Sequence, residues 1–377
     1  MTPVSQPLSN IPWYTLTEQE RSARIHGRFV SEGSFVAFPL CLPGASLPII
    51  HDESAITALA TTGDGLIYGG TSGFRCHLFA AIFHGAGGGV LDLGVVTDAD
   101  QCVALAVGAG FIVACVNGPS GGRLILRAKQ EMASDLIQEW DFGIEPTRDL
   151  GQPASGEPIL HAVADASGQW LIGLTSQHLF RYAIGSDSIE LLAPLKSVGA
   201  IAADLRGNVY GLEVVSDDQP ASLWRCHAAT GLFTRNAIPL PAGAWSACRP
   251  VWTRHPLSGE LFLSDAAGRI YSFADDHVGS ALAKVPYAPL LTMAATADGR
   301  IFGHCGEGIC RLFVLDLSSG ELKDLACVAS VLQAKRYGYQ FASAVLGRDG
   351  QIIFGENDNG AHLWLYFPRI KDHVVLA

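Results

Sequence analysis

The sequence predicts an all-β fold: a seven-bladed β-propeller of four-stranded antiparallel blades, closed by an N-terminal strand. A glycine-bearing turn recurs seven times, at Gly65, Gly110, Gly168, Gly207, Gly259, Gly299 and Gly350. Their mean spacing is about 47 residues, and a period of roughly 40–50 with about four short strands per unit marks a propeller. Each turn leads into a short apolar run: Leu66-Ile67-Tyr68, Phe111-Ile112-Val113, Trp170-Leu171-Ile172, Val209-Tyr210, Leu261-Phe262-Leu263, Ile301-Phe302 and Ile352-Ile353-Phe354. Composition agrees. Hydrophobic residues make up 49% and charged ones 16%, with 42 glycines, as sheets buried on both faces and joined by tight turns require.

Residues 1–24 form a polar leader, with a short helix expected at Leu16–Ala23, and residues 25–377 form one propeller domain. The units are expected at 55–96, 101–143, 158–195, 197–241, 247–289, 290–328 and 338–370. Each holds strands A to D from the hub outward. Unit one reads Ile56–Ala60, Leu66–Gly69, His77–Ala81 and Val90–Leu93. Unit six reads Leu291–Ala295, Arg300–Gly303, Arg311–Leu315 and Glu321–Leu325, with Asp298-Gly299 and Ser319-Gly320 as hairpin turns. Unit seven has only three strands by Phe367. An open edge invites aggregation, so a fourth strand must come from Ser34–Leu40 or His373–Ala377. The N-terminal segment is preferred, because the residues between Ile25 and Ile49 otherwise have no place.

The net charge of −11 argues against a nucleic-acid partner, which calls for a basic surface, yet leaves room for a local cationic pocket. Nine cysteines, an odd number without scaffold spacing, read as mostly reduced thiols. No basic-then-apolar leader and no membrane-length apolar run is present. The expectation is therefore a soluble, cytoplasmic protein with no membrane partner, or a secreted one whose leader was removed. Oligomeric state is left open. No cofactor is expected. A zinc site at His304-Cys305-Gly306-Glu307-Gly308-Ile309-Cys310 lacks an evident fourth ligand.

In a four-stranded blade the D-to-A connection and the B-to-C loop emerge on one face. The A-to-B turns on the other face are short, so the first face is the one to search. One register repeats there. The residues opening strand C are His77, Arg123, His178, Ser222, Arg269, Arg311 and His362, six of them cationic or titratable. A sheet end meeting water accepts any polar residue, but together these six are expected to line a mouth that attracts an anion. The D-to-A connections add Lys335-Arg336-Tyr337-Gly338-Tyr339-Gln340, the Trp245–Pro250 run with Arg249, and the Glu157–His161 run. Arginine can clamp a carboxylate and tyrosine can act as acid or base. His161 also reads as a core histidine. Glu356-Asn357-Asp358-Asn359 reads mainly as a turn cap, with Asn357 a candidate for substrate hydroxyls. There is no G-x-S-x-G elbow, no Walker or dinucleotide motif and no WD signature.

Several segments carry a resemblance: Thr71-Ser72-Gly73 with His77-Leu78-Phe79, Gln177-His178-Leu179-Phe180, and Tyr337-Gly338-Tyr339-Gln340-Phe341 through Gly347-Arg348-Asp349-Gly350 to Gly355-Glu356-Asn357-Asp358 and His362-Leu363-Trp364. They resemble the seven-bladed propellers of the ulvan lyases, the rhamnose–glucuronate lyases and a related α-L-rhamnosidase family. The resemblance implies β-elimination on a uronic-acid glycan, with histidine, tyrosine and arginine around the central depression. Arg336 or Arg249 would neutralise the carboxylate. Tyr337, Tyr339 or a neutral His77 or His178 would take the C5 proton, and another would protonate the leaving oxygen. Arg123, Arg249, His161, Gln340, Arg311, His362 and Asn357 are the substrate-binding candidates. The cysteines and the absent leader favour an imported anionic oligosaccharide or small glycoside. A glycoside hydrolase on this scaffold, or a non-catalytic propeller binding a protein or glycan, is the alternative.

Overall fold

The computed structural model describes residues 33–40, 49–84, 87–108, 110–129, 147–213, 221–246, 248–330 and 337–369. The expected helix at 16–23, the tail 373–377, Lys335 and Arg336 lie outside the described residues. Every described element is a β-strand, and the strands form seven four-stranded antiparallel sheets.

Blade 1 is β2 (Ala55–Thr61), β3 (Ile67–Ser72), β4 (Cys76–His84) and β5 (Gly87–Val96). Blade 2 is β6 (Gln101–Val107), β7 (Phe111–Gly118), β8 (Gly121–Ala128) and β9 (Arg148–Asp149). Blade 3 is β10 (Ile159–Ala164), β11 (Trp170–Thr175), β12 (His178–Ala183) and β13 (Ile189–Pro194). Blade 4 is β14 (Ser197–Ala203), β15 (Asn208–Glu213), β16 (Ser222–His227) and β17 (Phe233–Pro239). Blade 5 is β18 (Trp252–Arg254), β19 (Leu261–Ser264), β20 (Arg269–Ala274) and β21 (His277–Lys284). Blade 6 is β22 (Leu290–Ala295), β23 (Arg300–Cys305), β24 (Arg311–Asp316) and β25 (Leu322–Ala326). Blade 7 is β26 (Phe341–Leu346), β27 (Ile352–Glu356) and β28 (His362–Pro368), completed by β1 (Gly33–Pro39).

The N-terminal strand therefore closes the ring. β1 runs antiparallel to β28 without a register break, from Gly33 opposite Pro368 to Pro39 opposite His362. The inner strands touch in the order β2, β6, β10, β14, β18, β22, β26 and back to β2. Two boundaries differ from expectation. Blade 2 takes its outer strand from Arg148–Asp149, beyond 143, because pairing with Ile125 and Leu126 and not the period sets the register. Blade 5 begins at Trp252, later than 247, because Pro250 cannot donate to a ladder.

The turns work as their chemistry dictates. The amide before each A-to-B turn bonds back across it, as Thr62 N to Leu66 O at 2.9 Å and Asp204 N to Asn208 O at 2.9 Å. Gly207 and Gly350 close such turns at φ of 83° and 80°, where a Cβ would be strained.

The core consists of seven inter-blade layers. One joins Phe302 and Leu312 of blade 6 to Phe354, Trp364 and Phe35 of blade 7. Another joins Tyr210 and Leu223 of blade 4 to Leu263 and Tyr271 of blade 5. A repeated device fills the layers. A strand-B glycine stands opposite a strand-C aromatic: Gly69 opposite Phe79, Gly173 opposite Phe180, Gly211 opposite Trp224 and Gly303 opposite Phe313. The ring covers the glycine so closely that a Cβ at Gly69 would fall 1.9 Å from Phe79. Blade sheets bury both faces this way, so one blade alone would expose two apolar surfaces.

Candidate functional site

The register of titratable residues exists. His178, Ser222, Arg269, Arg311 and His362 are the first residues of their strands, His77 the second of β4 and Arg123 the third of β8. They stand on the third strand from the axis, and each is matched within reach. Arg123 Nη1 meets Asp149 Oδ2 at 2.6 Å and Nη2 donates to Asp98 O at 3.2 Å. Ser222 Oγ meets Asn236 Oδ1 at 2.8 Å. Arg269 Nη1 meets Asp265 Oδ2 at 3.0 Å. Arg311 grips Asp324 through Nε and Nη2 at 2.9 and 2.7 Å. His362 Nδ1 lies 2.9 Å from Gly360 O and 3.3 Å from Glu356 Oε2. The charges on this ring are thus largely balanced inside their own blades.

His77 is the most enclosed of them. Its Nε2 is 2.9 Å from Glu53 Oε2 and its Nδ1 is 3.1 Å from Asp92 Oδ2. Burial pulls its pKa down, but the bonds and charges of Asp92 and Glu53 outweigh that, and the net shift is upward. The bond from Arg75 is the largest cause holding the Glu53 carboxyl below its usual range, ahead of the opposing effect of burial. An imidazolium bonded through both nitrogens has no lone pair for proton abstraction. The arrangement ties the connection before β2 to β4 and β5.

Blade 3 repeats part of this pattern. Glu157 Oε1 meets His178 Nδ1 at 2.8 Å, and Thr175 Oγ1 donates to Glu157 Oε2 at 2.5 Å. His178 is more open, its side chain 32% exposed.

At the hub, side chains of one inner strand bond the backbone of the next. Thr57 Oγ1 donates to Cys102 O at 2.6 Å, Trp252 Nε1 to Ala200 O at 3.1 Å and Thr61 Oγ1 to Leu346 O at 2.9 Å. His161 belongs to this girdle: its Nδ1 accepts from Ile201 N at 3.4 Å. Desolvation between the strands pushes its pKa down to about 4, although the residue keeps some surface. Arg249 is exposed, its backbone lying against Gly199.

A different group comes together over blades 6, 7 and 1. The loop Gly306–Cys310 joins the connection before β26 through Cys310 N to Tyr339 O at 2.9 Å. That connection joins the β27–β28 loop through Asn357 N to Gln340 O at 2.9 Å. The β27–β28 loop joins blade 1 through Asp52 N to Asn359 O at 3.1 Å, and Phe74 N bonds Asp52 O at 3.0 Å. Along this locked rim Tyr339, Ile309, Ile50 and Phe74 are exposed, Phe74 by 80%. Tyr287 joins them, half of its surface exposed, with the Arg311 guanidinium 5.3 Å from its ring centroid. Gln340 and Asn359 are exposed on the same joined loops, and Asn357 is half-buried. Beneath them fully buried Glu356 accepts from His362 N at 3.0 Å and Trp364 Nε1 at 3.1 Å, while Asp358 caps Gly360 N at 3.0 Å.

Of the predicted residues, Tyr339, Gln340, Asn357 and His362 gather on this rim, Arg311 meets it at Tyr287, and half-buried Tyr337 precedes Tyr339 in the same connection. His77 lies beside the rim in blade 1, tied through Glu53 to Arg75 next to Phe74, whereas Arg123, His178, His161 and Arg249 belong to blades 2 to 5, and Arg336 lies outside the described residues. Phe74, Ile309 and Tyr287 were missed. The available signal was an apolar residue inside a short glycine-bearing polar loop, as in Gly73-Phe74-Arg75 and Gly308-Ile309-Cys310.

His304 is a core residue. It stacks on Phe341 at 3.9 Å, its Nδ1 lies 3.3 Å from Thr292 Oγ1, and burial pushes its pKa down to about 3. Among the described residues no group of three or more His, Cys, Asp or Glu could hold a metal ion. Among them, too, no helix is long and apolar enough to cross a membrane.

No family model matches the chain, and no curated protein matches it. It is similar in structure to a protein of unknown function from Bacteroides thetaiotaomicron, at 13% identity and a TM-score of 0.50, covering 90% of this chain and 76% of that one. It is also similar to the extracellular domain of a candidate one-component system from the same organism, at 12% identity and a TM-score of 0.56. That match covers 88% of this chain and 39% of the other. At such identities the likeness carries the fold alone: this chain folds as a seven-bladed β-propeller.

Proposed function

We propose that this chain is a non-catalytic binding propeller that holds a neutral oligosaccharide on the loop rim over blades 6, 7 and 1. The observation that carries this reading is the row of exposed rings on hydrogen-bonded loops, with Tyr339 41%, Tyr287 50% and Phe74 80% exposed. Rigid rings supply contact area at low entropic cost. The carboxamides of Gln340 and Asn359 offer both donors and acceptors to vicinal hydroxyls. The pairing of the strand-C cations with Asp and Glu, and a net charge of −11, favour a neutral chain over an anionic one.

The uronate-lyase reading retains one supporting observation. Glu157 holds His178 Nδ1 while the side chain is 32% exposed, as an oriented general base requires.

The two separate in one experiment. Titration calorimetry with neutral and uronate-containing oligosaccharides is run on the wild type, Tyr339→Ala and Phe74→Ala, while ultraviolet absorbance follows any unsaturated product. Binding of a neutral chain, weakened about tenfold or more by either substitution, is expected. Binding indifferent to both substitutions, or an unsaturated product that disappears in His178→Ala, would overturn the proposal.

A further inference from the structure

We infer that Glu53 is the positioning residue of the rim: its carboxylate clasps the Phe74 loop of blade 1 to the connection before β2, and the clasp holds only while the His77 imidazole carries both its protons. Its effect on a ligand rests on the reading of the rim as a binding site. Glu53 is 3% exposed, and its two oxygens serve different partners. Oε1 accepts from Arg75 Nε at 2.8 Å, and Oε2 meets His77 Nε2 at 2.9 Å. Both partners follow Phe74, whose own amide donates to Asp52 O at 3.0 Å. The two backbones touch, since a Cβ on Gly73 would fall 2.0 Å from Asp52 O. The same connection holds blade 7. Asp52 N and Ser54 Oγ both donate to Asn359 O, each at 3.1 Å, and Glu53 N bonds Ile50 O at 3.2 Å. One buried carboxylate thus stands where Phe74, Ile50 and Asn359 are fixed relative to one another.

His77 lies between two acids, Glu53 at Nε2 and Asp92 Oδ2 at Nδ1, the latter at 3.1 Å. An imidazolium donates to both, whereas a neutral imidazole has one N–H and donates to one. The other carboxylate then faces a lone pair, and no cation remains between the two acids. The adjoining elements add His51 and Asp52 from the same connection, Asp98 and Asp100 from the loop before β6, Arg123 from β8 and Asp358 from the β27–β28 loop. His51 is paired with Asp52 and Arg123 with Asp149. Among the described residues, the cations in contact with Glu53 are therefore Arg75 and His77. A buried carboxylate that loses a charged donor is stabilised by reaching water, and loosening the Phe74 loop opens that path. His77 is raised in the fold, so the clasp is complete below 6.5 and is lost as pH rises through the folded value. Glu53 is lowered, so the clasp is complete above 4.5 and is lost as pH falls through the folded value.

The test is amide hydrogen exchange of the ligand-free full chain across this range, with each rate corrected for its intrinsic dependence on pH. The Phe74 and Asp52 amides should be best protected between pH 4.5 and 6.5. They should exchange about tenfold faster once His77 is neutral, as loss of a charge-assisted hydrogen bond requires. The Cys310 and Asn357 amides, bonded on the same rim to Tyr339 O and Gln340 O, should keep their protection, which a general loss of stability would not allow. His77→Gln should abolish the alkaline step. Arg75→Gln, at an exposed side chain, and Glu53→Gln should each lower the protection of Phe74 at every pH. Phe74 protection that is flat with pH in the wild type, or that falls together with that of Cys310, overturns the inference. Should Glu53→Gln fail to fold, the wild-type profile and Arg75→Gln decide. No ligand enters the measurement, so a failure of oligosaccharides to bind would sink the reading of the rim and leave the clasp standing.

Discussion

Ring closure by the N-terminal strand can be tested at a single side chain. Phe35 of β1 is fully buried, its ring centroid 4.5 Å from that of Tyr366 and 5.9 Å from that of Trp364. It sits in the layer between blades 6 and 7. Phe35→Ala leaves the ladder with β28 intact and removes only the ring, so the loss reports packing and not hydrogen bonding. A Phe-to-Ala cavity in a core costs about 3–5 kcal/mol. A chain of this length has an unfolding entropy near 0.8 kcal/mol/K at its midpoint, at about 2.1 cal/mol/K per residue. The expected fall in Tm is therefore about 4–6 °C, with a matching fall in the urea midpoint. Among the described residues β1 is the only strand that comes from the other end of the chain to complete a blade, so loss of its packing should loosen its hold on β28. Limited proteolysis should then cut near residues 40–50 before any blade is lost. A Tm within about 1 °C of wild type would show that β1 does not hold the ring shut.

The close cover of Phe79 over Gly69 predicts that Gly69→Ala, usually a mild change, destabilises by about 1–3 kcal/mol, and that Phe79→Leu in the same chain recovers part of the loss. Thermal melts of the two single variants and the pair check this, and strict additivity would refute it. The His77 cluster predicts a pH window. His77 has a raised pKa in the fold, so its contribution is complete below its ordinary value of 6.5 and is lost as pH rises through the folded value. Glu53 is lowered, so its contribution is complete above 4.5 and is lost as pH falls through its folded value. The stability difference between wild type and His77→Gln should thus be greatest between 4.5 and 6.5 and shrink on both sides. A difference that grows above neutral pH in denaturant titrations would contradict this reading.

Much of the architecture was legible because it is local. A turn glycine, an apolar run and a polar loop repeat within each unit. The deficit of one strand in the last unit pointed to the N-terminal segment that supplies β1. The same reasoning located the register of His77, Arg123, His178, Arg269, Arg311 and His362, since strand starts follow the period.

What those residues do was decided only in three dimensions. Their partners come from different places: Glu53 and Glu157 from the connection before the inner strand, Asp149 and Asp324 from the outer strand and Glu356 from the second strand. No constant spacing along the chain marks such pairs. Whether Phe74 and Ile309 stand in water or inside a layer was equally hidden, because a loop residue's exposure depends on which neighbouring blade its backbone is fastened to. Periodicity is a property of consecutive residues and can be read in order. Charge balance and exposure are properties of residues brought side by side, within one blade for the ion pairs and between neighbouring blades for the loop rings.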